Sequence, residues 1–144
     1  MPIQQGQTLS FRKEIVQGEQ NLSTDTLYMA LYTAYSSIGP NTATYDETTN
    51  EVSSTGTNYT AGGNAITGVT INTDAATNTV YINFDNVSWP DANFTARGAL
   101  IYNSTQGNKS VAVLDFGSDK IFSAVSNTVV MPVNSATTAL LRFV

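Results

Sequence analysis

The chain has 144 residues, enough for one domain that buries a single apolar core. It contains neither cysteine nor histidine, which excludes disulfides, thiol nucleophiles and cysteine-rich metal sites and removes the commonest acid–base catalyst. Charged residues make up 12%, eleven acids against six bases for a net charge of −5, and Arg12, Lys13, Arg97, Lys109, Lys120 and Arg142 are too scattered along the chain for a nucleic-acid footprint.

Thr, Ser and Asn supply 21, 13 and 14 residues, so solubility rests on neutral hydrogen-bonding side chains, which cost less to desolvate than ions and suit packed assemblies. A hydrophobic share of 41% with 7 Tyr and 6 Phe is too rich for a disordered chain. The start, Met1 to Gly6, has neither a basic region nor an apolar run, which predicts no signal peptide, and no stretch approaches a membrane span.

In chain order, residues 1–25 read as an N-terminal segment and residues 26–144 as one β domain. Residues 10–16 are either a short helix, capped by Ser10 with Phe11, Ile15 and Val16 on one face and ended by Gly18, or a short strand. Seven strands are predicted at 27–35, 65–71, 79–84, 96–102, 110–116, 127–132 and 138–143, each a Thr-, Val-, Ile- or Tyr-rich run bounded by Gly, Asn, Asp or Pro. In 79–84 the alternation puts Val80, Ile82 and Phe84 on a buried face and Thr79, Tyr81 and Asn83 on a wetter one. Turn chemistry at 74–78 and 103–108 predicts two antiparallel hairpins, and 36–63 reads as an ordered loop. The expected fold class is all-β, an antiparallel sandwich of jelly-roll-like or Ig-like type with a short N-terminal helical or extended segment.

The chemical motifs are weak. Asp115-Phe116-Gly117 spells a kinase triplet without any of its companions and reads as a strand end followed by a glycine turn. Asp46, Glu47 and Glu51 cluster in the long loop, where a solvated acidic loop is favoured over a calcium site because the EF-hand pattern is missing. Eleven acids make some carboxylate pair inevitable, so pairing is no sign of a glycosidase. Six Asn-x-Ser/Thr sequons arise from the composition itself. No enzyme activity, cofactor or metal is expected.

Other residues bear on recognition. Trp89, before Pro90, is either an exposed stacking platform for a sugar ring or a core anchor, and its apolar context favours the core. Arg97 lies in an apolar strand and needs a partner, with Asp85, Asp91, Asp115 or a neighbouring subunit as candidates. Tyr28, Tyr32, Tyr35, Tyr45 and Tyr59 offer either contact area of the kind that recurs at binding hot spots or ordinary strand packing. Tyr28, Tyr32, Tyr59, Trp89 and Arg97 are therefore the candidate interface or binding residues.

Two blocks are specific: Glu51-Val52-Ser53 with Tyr59-Thr60-Ala61-Gly62-Gly63, and Ala96-Arg97-Gly98-Ala99-Leu100-Ile101-Tyr102. With residues 11–18, 25–33, 87–89 and 114–117 in the same order, they make the chain resemble a family of small structural proteins from tailed bacteriophages. The resemblance implies a virion component made in the host bacterial cytoplasm. It points to a head decoration or cement protein on the capsid surface, a homo-oligomer, in expectation a trimer, that bridges and stabilises the major capsid protein. Tail, neck or fibre components are also small, neutral and β-rich and remain the alternative, as does a carbohydrate-binding adhesion module using Trp89 and exposed tyrosines.

Overall fold

Residues 2–144 are described in a computed structural model. The strands are β1 (Gly6–Gln7), β2 (Leu27–Tyr32), β3 (Asn64–Ile66), β4 (Thr70–Asp74), β5 (Thr79–Asn83), β6 (Val87–Ser88), β7 (Phe94–Asn103), β8 (Lys109–Phe122), β9 (Thr128–Val129) and β10 (Leu141–Phe143), with one α-helix, α1 (Leu9–Val16). The chain is mostly β, and every strand pair is antiparallel. The strands form a five-stranded sheet ordered β1-β8-β7-β2-β3, a three-stranded sheet β10-β5-β4 and a two-stranded ribbon β6-β9.

The middle of the large sheet, β2 with the adjoining parts of β7 and β8, is buried on both faces, which explains why β2 reads as a continuous apolar run rather than an alternation. Leu27, Met29 and Leu31 enter the main core with Phe94, Ala96, Ala99, Ile101 and Val111. Ala30 and Tyr32 point the other way into a smaller core with Ile3, Ile38, Leu100, Tyr102 and Val113. The register of β7 against β8 shifts between Ala96 and Gly98, so Ala96 and Ala99, three apart, still face the same core. At that shift Ala96 pairs with Lys120 but Gly98 pairs with Asp115, and residues 116–119 bulge opposite Arg97.

Both predicted hairpins form, β4 with β5 across 74–78 and β7 with β8 across 103–108. In the first, Asp74 Oδ1 accepts the N–H of Ala76 at 3.0 Å, and Asn78 takes a positive φ of 54°. The expected strand 65–71 divides into β3 and β4, because Gly68 turns the chain at φ +68° and the two halves join different sheets. Strand 27–35 ends at Tyr32, strand 110–116 runs on to Phe122, and 127–132 keeps only Thr128 and Val129. The alternation expected in 79–84 is also modified: Asn83 is buried, its Nδ2 donating to Pro132 O at 2.7 Å and its Oδ1 accepting from Leu140 N at 3.2 Å. A buried amide thus fastens the C-terminal segment to β5.

Residues 10–16 are helical, but the cap is Thr8, whose hydroxyl accepts the Phe11 N–H at 3.3 Å. Phe11 is buried and stacks on Phe143 at 6.3 Å, whereas Val16 is exposed instead of sharing that face. The loop 36–63 covers the smaller core and carries a 3₁₀ turn at Tyr45–Glu47.

Candidate functional site

The densest arrangement of polar and aromatic groups lies where this loop meets β2 and β7. Val52 N donates to Leu31 O at 2.9 Å and Thr33 N to Asn50 O at 3.0 Å, so residues 50–52 run beside the end of β2 and fix the backbone of Glu51. Its carboxylate then accepts three hydrogen bonds: from the Tyr45 hydroxyl at Oε1 (2.6 Å), and from the Tyr59 hydroxyl (2.6 Å) and Gly62 N–H (2.7 Å) at Oε2. Bonds to a carboxylate are short and about twice as strong as neutral ones. The Tyr59 oxygen in turn accepts the Leu31 N–H at 2.8 Å, and the Tyr102 hydroxyl donates to Gly62 O at 2.6 Å. Tyr32 shares a 2.7 Å hydrogen bond with Thr48.

Aromatic contacts continue the network. Tyr28 and Tyr102 are opposite each other in the β2–β7 register with rings 5.9 Å apart, and Tyr45 stacks on the other side of Tyr102 at 4.6 Å. Burial, assisted by the negative charge of Glu51, pushes the Tyr102 hydroxyl up to about 12. Tyr59, Tyr45 and Tyr32 are raised further, again chiefly by burial, with hydrogen bonds to Glu51 adding to the rise at Tyr59 and Tyr45. All four hydroxyls therefore stay protonated at neutral pH, and three of them act as donors. The arrangement braces a loop.

Among the expected interface residues, Tyr32, Tyr59 and Trp89 are buried within this one chain, and their rings are spent on internal packing. Trp89 is 1% exposed, stacked on Tyr59 at 6.5 Å and edge-on to Phe122 at 6.2 Å, so the core reading is correct and no sugar ring has access to it. Its indole Nε1 has no hydrogen-bond partner among the described residues. Tyr28 is half-buried at the end of its stack. Arg97 pairs with Asp119 at 3.5 Å rather than with Asp85, Asp91 or Asp115, because the 116–119 bulge brings Asp119 across from it.

The three loop acids diverge rather than converge. Asp46 accepts from Asn108 at 3.2 Å, Glu47 accepts from Ala43 N, and Glu51 turns inward to the tyrosines. No group of three or more acidic side chains is placed to hold a metal ion among the described residues. Asp115 accepts the Gly117 N–H at 2.8 Å inside β8, which makes the kinase-like triplet part of a bulged strand rather than a strand end. Sequence reasoning missed the central role of Glu51 and the participation of Tyr45, Tyr102 and Gly62. The available signal was the concentration of tyrosines on either side of the loop acids, followed by the paired glycines Gly62 and Gly63.

No helix among the described residues is long and apolar enough to cross a membrane. Compared with known proteins, the chain matches no family model, no curated protein and no solved structure.

Proposed function

We propose that the chain is a non-enzymatic structural protein of a tailed-bacteriophage virion, a decoration or cement protein that sits on the capsid surface as a homo-oligomer, a trimer, and bridges major capsid subunits. In this reading its sheets stack as an antiparallel β-sandwich, jelly-roll-like or Ig-like. The observation that supports it is the meeting of the two sequence blocks that carry the phage resemblance: Glu51 and Gly62 of the first bond to one another, and Tyr102 of the second bonds to Gly62 O. These residues form a brace that joins a long loop to the central strand, as a part under mechanical load needs.

The test is the copy number of the chain in purified particles of the virus that encodes it, by quantitative mass spectrometry against the major capsid protein. A near-stoichiometric ratio is expected. About a dozen copies or fewer would move the protein to the neck or tail, and absence from the particle would end the virion reading.

A further inference from the structure

Arg97 holds Asp119 and Lys109 holds Glu14 and Glu19, but the other four bases, Arg12, Lys13, Lys120 and Arg142, make no ion pair among the described residues. Three of these four meet on one face. Phe11 stacks on Phe143 at 6.3 Å, which sets the exposed side chains of their neighbours Arg12 and Arg142 as walls of one groove of about 530 Å³. Leu9 N donates to Pro40 O at 2.8 Å, and beside that bond Arg12 and Lys13 wall a second groove of about 640 Å³. The grooves share Arg12 and Pro40 and so form one surface, and no acidic side chain lines either. Glu14 and Glu19, the acids nearest in sequence on α1 and just after it, are taken up by Lys109. Glu47, in the adjoining hollow beyond Pro40 and Asn41, accepts the Ala43 N–H.

We infer that this face docks an acidic segment of another protein, one that brings carboxylates together with an apolar side chain. The charge distribution selects the chemistry. A chain of net charge −5 leaves three positive side chains unneutralised here. A carboxylate within a Debye length of them, about 8 Å at physiological salt, meets local positive charge rather than the negative whole. Two of the three are arginines, whose planar forks match a carboxylate with two parallel hydrogen bonds. The grooves also have apolar walls in Leu9, 59% exposed, Phe143 and Val144, and a peptide side chain covers these where a sugar–phosphate backbone does not. A long polyanion would in addition run off the face onto a surface carrying eleven acids, and three contacts release too few counterions to offset that repulsion.

The test is fluorescence polarisation of a short labelled peptide of alternating Glu and Leu, titrated with the full chain in dilute salt. Saturable binding is expected, and the same peptide with Gln in place of Glu does not bind. Salt at about 1 M, where the Debye length is about 3 Å, weakens binding at least tenfold. Arg12→Gln combined with Arg142→Gln weakens it about tenfold, the size expected for two exposed carboxylate contacts. Arg97→Gln combined with Lys120→Gln changes the net charge equally but away from this face, and leaves binding within about twofold. Circular dichroism confirms that each variant is folded. Absence of saturable binding, or equal losses in the two double variants, overturns the docking face. A single-stranded oligothymidine that binds more tightly than the peptide makes the face a nucleic-acid site and overturns the protein partner. None of these outcomes touches the virion reading, which the copy number in particles decides.

Discussion

The Tyr59 hydroxyl donates to Glu51 Oε2 at 2.6 Å while its oxygen accepts the Leu31 N–H at 2.8 Å, so one side chain joins the loop carboxylate to the backbone of β2. A phenol can do both because it has a donor and acceptor lone pairs. Removing it orphans the Leu31 N–H and takes one of two donors from Glu51 Oε2, which keeps the Gly62 N–H. Tyr59→Phe is therefore expected to lower stability by about 2–4 kcal/mol, more than Tyr45→Phe at about 1–2 kcal/mol, since it loses a bond to a charged group and also leaves a buried N–H unpaired at about 1–3 kcal/mol. Urea unfolding of the two variants checks the order, and equal effects would show that the Leu31 bond adds nothing.

Glu51→Gln tests the carboxylate itself. Three donors face two carboxylate oxygens, and an amide offers one acceptor oxygen and a further pair of donors. A loss of about 2–3 kcal/mol is expected, in line with hydrogen bonds to a charged group. Because the partners share one acceptor group, Glu51→Gln and Tyr59→Phe combined should lose clearly less than the sum of the single effects. Additivity in a double-mutant cycle would disprove the shared brace.

Stability should fall at alkaline pH. The tyrosines at the brace have hydroxyls raised above their ordinary value of 10, Tyr102 to about 12 and Tyr32, Tyr45 and Tyr59 beyond it. A group whose folded value lies above its unfolded value favours folding fully below pH 10, and that contribution is lost as pH rises through the folded value. The denaturation midpoint is thus expected to be insensitive to these groups below pH 10 and to decline steadily from 10 to 12. The ultraviolet absorbance of tyrosinate follows the same titration. Ionisation of all seven tyrosines near pH 10 without unfolding would contradict the buried network.

Gly63 marks how closely the brace approaches β2. It has φ +79°, and a Cβ there would lie 1.8 Å from Met29 O and 2.5 Å from Met29 C, both backbone atoms of a paired strand. Neither a rotamer change nor a small shift relieves such a clash. Gly63→Ala is expected to cost more than about 3 kcal/mol, beyond the ordinary range for a surface loop. Gly56→Ala is the comparison: it too has a positive φ, of 70°, but meets nothing within 4 Å, so it reports backbone strain alone.

The parts of the fold that were legible are those set by local pattern. Asp74 to Asn78 and Asn103 to Asn108 carry their turn chemistry in the residues themselves, and both hairpins form as read. Strand limits were less legible because tertiary pairing sets them. β8 continues through Gly117 to Phe122 only because β7 resumes pairing beyond the bulge, and nothing local to 116–119 announces that. The brace was hidden for a related reason. Glu51, Tyr59 and Tyr102 look like a loop acid and two strand-forming aromatics, and only the crossing of the 36–63 loop over β2 and β7 brings them within hydrogen-bond distance. Asn83 reads as solvent-facing by alternation, but it is buried because the C-terminal segment folds over it.

Trp89 separates packing from hydrogen bonding. Its ring contacts Tyr59 and Phe122, yet its indole N–H makes no hydrogen bond among the described residues. Trp89→Phe therefore sacrifices volume without orphaning an acceptor, and about 1–2 kcal/mol is expected, against about 3–5 kcal/mol for Trp89→Ala. Thermal unfolding of both variants measures the difference. If Trp89→Phe were as damaging as Trp89→Ala, the indole would have to make a polar contact that the packing does not provide.

The proposed role on the capsid predicts a thermal phenotype. A protein that binds assembled subunits and not separated ones stabilises the assembly by mass action, and many identical contacts act at once. Particles assembled without the chain are therefore expected to release their genome at lower temperature than complete particles, read by the fluorescence of a DNA dye during heating. Adding back the purified chain should restore the original release temperature. Chain carrying Glu51→Gln should restore it less well if the brace bears load, because a loosened loop lets the bridge yield before the subunits separate. Depleted particles as heat-stable as complete ones would refute the cement role while leaving the fold and its brace unaffected.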